Sequence, residues 1–377
     1  MKPPVYLDHN ATTPVRPQAV EAVAAALTTL GNPSSVHSFG RATRRLLEEA
    51  REAVAALAGG SAAEVIFTGG GTEANNLALR GCGRPAVLVS AIEHDSVFAA
   101  VPTATAIPVD AGGVVDTEAL AALLAGTAEG TAVVSVMLAN NETGVIQPVA
   151  KIAEIARRHG ALVHCDAIQA AGKVPFDMRA LGVDLMSLSA HKIGGPQGIG
   201  ALIAGNGVEI EPLLRGGGQE RRRRAGTENL PGAAGFGAAA GVAVDELPSF
   251  AALAAWRDRL ESALRAIEPD LTVFGGGVAR LPNTSCLAVP DMASETQVMA
   301  LDLAGIAVSA GSACSSGKVG PSRVLAAMAG GALAGKAIRV SFGWTSREAD
   351  VERFVAAWTA MRARVRDRRG AAMAAPS

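Results

Sequence analysis

The sequence is poor in the features that mark membrane, secreted and nucleic-acid-binding proteins. Its apolar stretches are interrupted by Gly, Pro or charge well before the roughly eighteen residues that a membrane-spanning helix needs. The opening segment, MKPPVYLDHN, has no basic stretch followed by an apolar run, so no signal peptide is predicted. Lysine and arginine number 34 against 35 aspartates and glutamates, a net charge of -1. That balance argues against general binding to nucleic acids or anionic membranes.

Cysteine is scarce as well, with four residues in a chain of 377. These four, Cys82, Cys165, Cys286 and Cys314, form no C-x-x-C pair and no zinc-binding spacing. A reducing, cytoplasmic location is therefore the expectation. Cys165 and Cys286 lie in apolar segments that we interpret as strands, so we expect both to be inert core residues.

What the sequence does contain is an alternation of short apolar strands with helices. This pattern predicts a mostly parallel sheet covered by helices, with ligands bound beyond the carboxyl ends of the strands. The predicted strands are Ala63–Thr68, Ala86–Ser90, Thr131–Leu138, Ala161–Asp166, Leu185–Ser189 and Ala201–Ala204, and the clearest helices are Arg41–Ala58 and Val149–His159.

A change of character near residue 255 indicates a second, smaller domain. We predict a large domain over 15–254 and a small α/β domain formed by 1–14 together with 255–366. The Ala-rich segment 367–377 is predicted to be a disordered tail. The elements predicted here are the helices Pro248–Pro269, Glu295–Leu303 and Arg347–Arg366 and the strands Leu271–Val273, Ser285–Val289 and Ile338–Phe342.

A lysine follows one predicted strand, in Ser189-Ala190-His191-Lys192, and a glycine-rich loop comes after it. Glycine lets the backbone approach a ligand closely. A partly desolvated lysine at a strand end can have its pKa lowered enough to condense with an aldehyde. Lys192 is thus a candidate for holding an aldehyde cofactor, although a surface lysine would give the same short motif.

Asp166 ends another predicted strand, and Gln169 follows it. In most proteins such an aspartate caps a helix or binds a metal. In an enzyme that uses pyridoxal 5'-phosphate (PLP), the aspartate pairs with the pyridinium nitrogen and keeps the ring an electron sink. Gln169 would then hydrogen-bond the phenolic oxygen. The lysine at the end of a later strand favours this interpretation.

Three consecutive glycines, Gly69, Gly70 and Gly71, precede Thr72 between a predicted strand and a predicted helix. Unpaired N–H groups and the helix dipole bind phosphate at such a turn, and Thr72 adds a hydroxyl. The segment is a poor dinucleotide fingerprint because Ala74 replaces the last glycine, and it is no P-loop because no lysine follows. We therefore predict a phosphate-binding turn of another kind.

Two further candidates depend on their neighbours for an interpretation. His94 follows a strand, where an imidazole can stack on a cofactor ring and move protons near neutral pH, although a lone histidine is more often structural. Arg339 lies in an apolar strand, and a buried arginine needs a carboxylate. That carboxylate is either a structural partner or the α-carboxylate of an amino-acid substrate.

Cys314 lies in a loop of glycine, serine and alanine within Val308–Gly317. Such a loop is expected to pack poorly and to move. An exposed thiol with a thiolate fraction is a nucleophile, whereas an idle surface thiol would give the same pattern.

In this order, the segments resemble the cysteine desulfurases of the NifS and IscS type, within the class V aminotransferase fold family. The resemblance runs from Tyr6–Pro14 to about Arg366 and includes Gly31–Ser35, Ala139–Gly144 and Arg224–Thr227. It implies a homodimer with the type I PLP-dependent transferase fold, whose large domain has a mostly parallel seven-stranded sheet. The implied reaction converts L-cysteine to L-alanine and leaves a persulfide on the enzyme. Sulfur then passes to an iron–sulfur scaffold or another acceptor protein.

The resemblance also implies a role for each matching residue. Lys192 carries PLP, His94 assists proton transfer, Cys314 accepts the sulfur and Arg339 binds the substrate carboxylate. No resident metal is implied, although Cys314 is a candidate for a transient iron–sulfur ligand. The residues implied to bind the cofactor are Gly71, Thr72, His94, Asn141, Asp166, Gln169, Ser189, His191 and Lys192, with Thr227 contributed by the other subunit and Asn141 also near the substrate.

Other functions stay open at this point. A class V aminotransferase and a selenocysteine lyase share the cofactor site, and only Cys314 and its loop favour the desulfurase. A non-enzymatic interaction protein on this fold would not need Lys192 or Asp166, and the incomplete fingerprint disfavours a nicotinamide dehydrogenase. Trp344 stands where many relatives have a basic residue, and His9 stands where relatives vary, so neither receives a role.

Overall fold

The computed structural model describes residues 3–205, 207–310, 322–328 and 331–374, with side chains as far as 367. Cys314 and most of its loop lie outside the described residues. The strands are Val5–Tyr6 (β1), Val65–Thr68 (β2), Ala86–Ser90 (β3), Thr105–Ile107 (β4), Ala132–Ser135 (β5), Leu162–Asp166 (β6), Leu185–Ser189 (β7), Gly200–Ala204 (β8), Thr272–Phe274 (β9), Thr284–Ala288 (β10), Ile306–Ala307 (β11), Ser309–Ala310 (β12) and Ala337–Ser341 (β13). The α-helices are Pro17–Thr28 (α1), Ser38–Ala58 (α2), Gly71–Gly81 (α3), Asp95–Ala100 (α4), Thr117–Ala125 (α5), Val149–Arg158 (α6), Met178–Leu181 (α7), Leu230–Asp245 (α8), Leu247–Ala251 (α9), Leu253–Ile267 (α10), Ser294–Leu303 (α11), Arg323–Ala327 (α12) and Glu348–Ala374 (α13).

A seven-stranded sheet forms the larger body, in the order β2-β8-β7-β6-β5-β3-β4. The strands from β4 to β7 run parallel, whereas β8 is antiparallel to both of its neighbours, β7 and β2. The predicted fold class is thereby confirmed. Successive side chains of a strand point to opposite faces, so Val65 and Phe67 pack under α2 and α8 while Ile66 packs under α3.

The smaller body contains a four-stranded antiparallel sheet in the order β12-β13-β10-β9. Its core includes Leu260, Leu301 and Trp358 from α10, α11 and α13. The N-terminal segment joins this core, because β1 pairs in parallel with β11 and Leu7 is fully buried there. The domain limits predicted at 14/15 and 254/255 stay predictions.

Two predicted elements differ from the structure. The helix predicted over Pro248–Pro269 is interrupted at Ala252, which separates α9 from α10. The segment predicted as a disordered tail from residue 367 is helical as far as Ala374, because alanine, arginine and methionine are strong helix formers. No single helix among the described residues has the length and apolar character of a membrane span. Only α8 taken together with α9 and α10, across a bend of 65°, meets both criteria.

Candidate functional site

A cavity of about 330 Å³ lies beyond the carboxyl ends of β3, β5, β6 and β7. Small-molecule pockets span roughly 300–1,000 Å³. Parallel strands end at the same edge of a sheet, which brings residues far apart in sequence to one place. The structure gathers the predicted Gly71, Thr72, His94, Asn141, Asp166, Gln169, Ser189, His191 and Lys192 around this cavity, together with Asn10, Ala11, Ser96, Met137, Ala139 and Ile168, for which no role was predicted.

Lys192 ends a short 3₁₀ turn that follows β7. Its Nζ atom donates to the backbone carbonyls of Asn10 and Ala11, both at 2.6 Å. Both carbonyls come from the N-terminal segment that pairs with the smaller body. The amine is therefore held at the cavity wall by two neutral acceptors.

Asp166, at the end of β6, is 5% exposed. Its Oδ2 atom accepts a hydrogen bond from the Asn75 side chain at 2.8 Å, and its Oδ1 atom accepts one from the backbone of Ile168 at 3.0 Å. Burial raises the pKa of Asp166, whereas these hydrogen bonds and the nearby His94 and Lys192 oppose the rise. Because both hydrogen-bond donors are neutral, a cation in the cavity would stabilise this buried carboxylate.

The predicted phosphate-binding turn opens α3, a helix of 11 residues. Gly70 caps it at φ +151°, a conformation that side-chain-bearing residues rarely adopt. A Cβ atom at Gly71 would lie 2.3 Å from the Cδ1 atom of Ile168, so a larger residue would require the Ile168 side chain to move. Thr72 adds a hydroxyl to the free N–H groups of the helix start, and an anion is the ligand that such donors favour.

Two histidines face the cavity in fixed orientations. The Nδ1 atom of His94 accepts a hydrogen bond from the backbone N–H of Ser96 at 3.1 Å, so a neutral His94 carries its proton on Nε2. The Nδ1 atom of His191 lies 3.2 Å from the hydroxyl of Thr12. Burial, reinforced by Lys192 and Lys173, lowers the pKa of His191 to about 4, so its ring is neutral at pH 7.

A second lysine, which sequence reasoning missed, lies beneath the cavity. Lys173 is 3% exposed, and its Nζ atom donates to Oε1 of Gln169 at 2.5 Å and to Oδ1 of Asn10 at 2.9 Å. The amide of Gln169 donates in turn to the backbone carbonyl of Asn10 at 2.9 Å. The sequence did contain a signal, since Lys173 interrupts an otherwise uncharged run from Ala167 to Phe176.

Arg339 does not line the cavity but contacts one residue that does. Its guanidinium forms an ion pair with Asp8 at 2.7 Å and donates to the backbone carbonyl of Asn141 at 3.0 Å. The structural partner that the sequence left open is therefore Asp8. The Nε atom of Arg339 is buried and has no hydrogen-bond partner among the residues that the structure describes. Thr227 is exposed and lies outside the cavity of its own chain.

The described cysteines are unsuited to chemistry. Cys82, Cys165 and Cys286 are free and buried, which confirms the interpretation of the latter two as core residues. Burial raises the pKa of each of these thiols, so the thiolate is disfavoured. Cys314 lies outside the described residues.

The donor set around the cavity fits PLP. An amine at Lys192 matches the aldehyde, the buried carboxylate of Asp166 matches a protonated ring nitrogen, and the turn at Gly71 and Thr72 matches the phosphate. Gly71 has no Cβ atom, which leaves room beside the Ile168 side chain at the start of this turn and contributes to the fit.

Comparison with known proteins gives several matches over most of the chain. Residues 5–354 match the family model of the class-V aminotransferases. A cysteine desulfurase of Cereibacter sphaeroides is 46% identical over 367 residues, covering 93% of this chain and 94% of the relative. The solved structure of a NifS-like protein from Rickettsia africae has a TM-score of 0.89 at 36% identity, covering 95% of this chain and 99% of that one. The structure of SspA in complex with cysteine has a TM-score of 0.75 at 29% identity, covering 90% and 98%.

Proposed function

The chain belongs to the class-V aminotransferase family and is a PLP-dependent cysteine desulfurase, and from this premise we propose how its own residues divide the reaction. The observation that carries the proposal is the convergence of Lys192, Asp166 and the turn at Gly71 and Thr72 on one cavity. The overall reaction converts L-cysteine and an enzyme thiol to L-alanine and an enzyme persulfide.

When bound, PLP supplies an electron sink for the pair released at the substrate Cα atom. Lys192 would hold the cofactor through its aldehyde, and its Nζ atom, once released from that bond, would take up the Cα proton. Asp166 stabilises the positive charge of the ring nitrogen, and its burial makes that pairing strong. Thr72, Ser189 and the neutral His191 orient the phosphate.

His94 and Cys314 carry the sulfur chemistry. His94 would stack on the ring and assist proton transfer at the substrate sulfur through the proton on its Nε2 atom, a step of the kind that contributes about 10²–10⁴ in rate. The Cys314 thiolate attacks the substrate sulfur, so an S–S bond forms while the Cβ–S bond breaks. The electron pair would stay on the carbon skeleton, whose Cβ atom takes up one proton. Lys192 would return the Cα proton, and the product would leave as L-alanine.

Arg339 is proposed to bind the substrate carboxylate. Support comes from its contact with Asn141 at the cavity wall and from its buried Nε atom, which no described residue hydrogen-bonds. Asp8 forms an ion pair with the guanidinium at 2.7 Å, so substrate binding there would exchange one carboxylate for another.

We further propose a homodimer in which each subunit contributes Thr227 to the phosphate site of the other. Thr227 is exposed, and the phosphate-binding turn also borders an open groove with the exposed Leu213 and Leu214. Leu27 on α1 and Leu30 just after it are 69% and 74% exposed, which suits burial against a second copy. The sulfur acceptor would be an iron–sulfur scaffold or a thiol carrier protein. A reducing, cytoplasmic location would keep Cys314 a free thiol.

The test is to incubate the purified protein with PLP and L-cysteine and to measure alanine and sulfide with and without a thiol reductant. We expect one alanine per sulfur in the wild type. Cys314→Ser should keep the visible absorbance of bound PLP but release no sulfide. Lys192→Ala should lose that absorbance.

Other outcomes would redirect the assignment. Unchanged sulfide release by Cys314→Ser would remove this thiol from the mechanism. Alanine formed only when a keto acid is added would indicate an aminotransferase, and turnover restricted to selenocysteine would indicate a lyase.

A further inference from the structure

The segment after β8 contains one turn of left-handed helix. Glu220, Arg221 and Arg222 have φ values of 44°, 57° and 67°. In this region the Cβ atom crowds the following carbonyl, so a left-handed run of residues other than glycine is unfavourable at every position. Such a conformation persists only when surrounding contacts hold it, and strained segments of this kind cluster at functional sites.

A buried ion pair holds the turn. Both carboxylate oxygens of Glu220 accept hydrogen bonds from Arg51 on α2, at 2.6 and 3.0 Å. The Oε2 atom also accepts the backbone N–H of Phe67 at 3.0 Å. Arg51 and Glu220 are 4% and 5% exposed, and the guanidinium of Arg51 stacks over the Phe67 ring. The strained turn is therefore fixed to both α2 and β2.

The turn covers the outer edge of the seven-stranded sheet. In the described part of the chain β2 is the terminal strand, and no further strand pairs with its outer N–H and C=O groups. Arg51 donates to the carbonyl of Val65 at 2.9 Å, and Arg221 and Arg223 donate to the carbonyl of Ala63 at 2.7 and 3.0 Å. Covering an exposed edge is a structural role that these contacts explain fully.

One contact goes beyond edge covering. Arg224 donates from Nε to Oε1 of Glu73 at 3.0 Å, and Oε2 of Glu73 accepts the backbone N–H of Gly69 at 2.7 Å. Gly69 directly follows β2 and begins the phosphate-binding turn. The left-handed residues and Arg224, which follows them, thus reach this turn by two routes. Glu220 contacts Phe67, two residues before Gly69, and Arg224 contacts Glu73 on α3.

We propose that the left-handed turn Glu220–Arg222 is a positioning element for the phosphate-binding turn Gly69–Thr72, with Glu220 and Arg224 as positioning residues. Neither residue lines the cavity, so each acts through β2 or Glu73. The proposal rests on the proposed function, because the phosphate in question is that of PLP. The strained conformation of these three left-handed residues therefore supports binding of the phosphate and not of the ring.

The experiment compares PLP with pyridoxal, which lacks the phosphate, by titrating the apoprotein and following visible absorbance. The variant is Glu220→Gln. The matched control is Glu261→Gln in the smaller body, since Glu261 is 3% exposed and accepts both Arg280 nitrogens at 2.8 and 3.1 Å. We expect Glu220→Gln to bind PLP about tenfold more weakly while its affinity for pyridoxal changes by less than about twofold. Glu261→Gln should change neither affinity, although both variants should unfold at lower temperature.

Equal weakening of PLP and pyridoxal by Glu220→Gln, or no weakening of either, would overturn the proposal. If Glu220→Gln does not fold, Arg224→Gln becomes the deciding variant. Arg224 is half-buried, and its substitution removes only the contact with Glu73. It should shift the PLP-to-pyridoxal preference in the same direction, and an unchanged preference would reject the proposal. A wild type that binds neither compound would contradict the proposed function itself, whereas normal wild-type binding with unaltered variants rejects this inference alone.

Discussion

The Nζ atom of Lys173 lies 2.5 Å from the side-chain oxygen of Gln169, under the floor of the cofactor cavity. Its other acceptor is the side-chain oxygen of Asn10, so both partners are uncharged amides. Burial lowers the pKa of Lys173 well below its usual range, and the nearby Lys192 and Arg339 lower it further. A buried lysine with neutral partners is rare, and its protonation opposes folding.

The first prediction concerns the alkaline stability of Lys173→Met. The unfolded state keeps the lysine proton up to a pH of about 10.4, whereas the folded state releases it earlier. The unfolding free energy of the wild type relative to Lys173→Met should therefore rise with pH above neutrality, by at most about 1.4 kcal/mol per pH unit. Urea unfolding at several pH values between 7 and 10 measures this. Lys151→Met, on the exposed face of α6, is the control. Its unfolding free energy should change with pH as that of the wild type does. A constant difference between the wild type and Lys173→Met would contradict the prediction.

The second prediction concerns acid stability. His164 is fully buried between the hydroxyls of Ser135 and Ser187, at 2.9 and 2.8 Å, and burial lowers its pKa to about 3. The unfolded chain takes up this proton near pH 6.5, so wild-type stability should fall as the pH drops from about 6.5 toward 3. The unfolding free energy of His164→Gln should fall less steeply than that of the wild type when it is measured across that pH range. His159→Gln, at the half-buried position that caps the C-terminal end of α6, is the control. Equal slopes for the wild type and His164→Gln would show that His164 does not titrate in this way.

The third prediction separates folding from catalysis at Asp166. Because burial raises the pKa of this carboxyl, its ionised form costs stability, and Asp166→Asn should leave the apoprotein at least as stable. An amide cannot balance the charge on the ring nitrogen, so kcat for L-cysteine should fall by about 10² or more. Thermal unfolding and steady-state kinetics measure the two effects. Asp184→Asn, which alters a carboxylate outside the cavity that accepts the Val163 N–H, should keep its kcat. An active Asp166→Asn enzyme would reject the role given to Asp166.

The fourth prediction tests the exchange of carboxylates at Arg339. Asp8→Asn removes the anion that pairs with this guanidinium at 2.7 Å. If the substrate carboxylate takes the same place, KM for L-cysteine should fall, by roughly three- to tenfold. Arg339→Gln should raise KM instead. A rise in KM for both variants would show that Asp8 supports the site and does not compete with the substrate.

The sequence predicted Asp166, His94 and Lys192 correctly as neighbours in one cavity. Asp166 ends a buried strand and the other two follow one, and the parallel topology brings strand ends together, so one general rule sufficed. The sequence could not predict the partner of Arg339, because Asp8 lies 331 residues away and pairs through the contact between β1 and β11. Lys173 was missed for a related reason. Its acceptors are two amides, and their orientation depends on how Asn10 is placed by the smaller body.

The contacts of Lys192 also bear on the order in which the protein forms during synthesis. Its two acceptor carbonyls, in Asn10 and Ala11, belong to the segment that follows β1, and β1 pairs with β11. β1 is therefore synthesised long before β11, the strand with which it pairs. Large domains fold as units during translation, so the seven-stranded sheet can assemble before this pairing forms. A chain that terminates before Ile306 would keep the contacts of Asn10 with Gln169 and Lys173 but lose the pairing that anchors β1 to the smaller body.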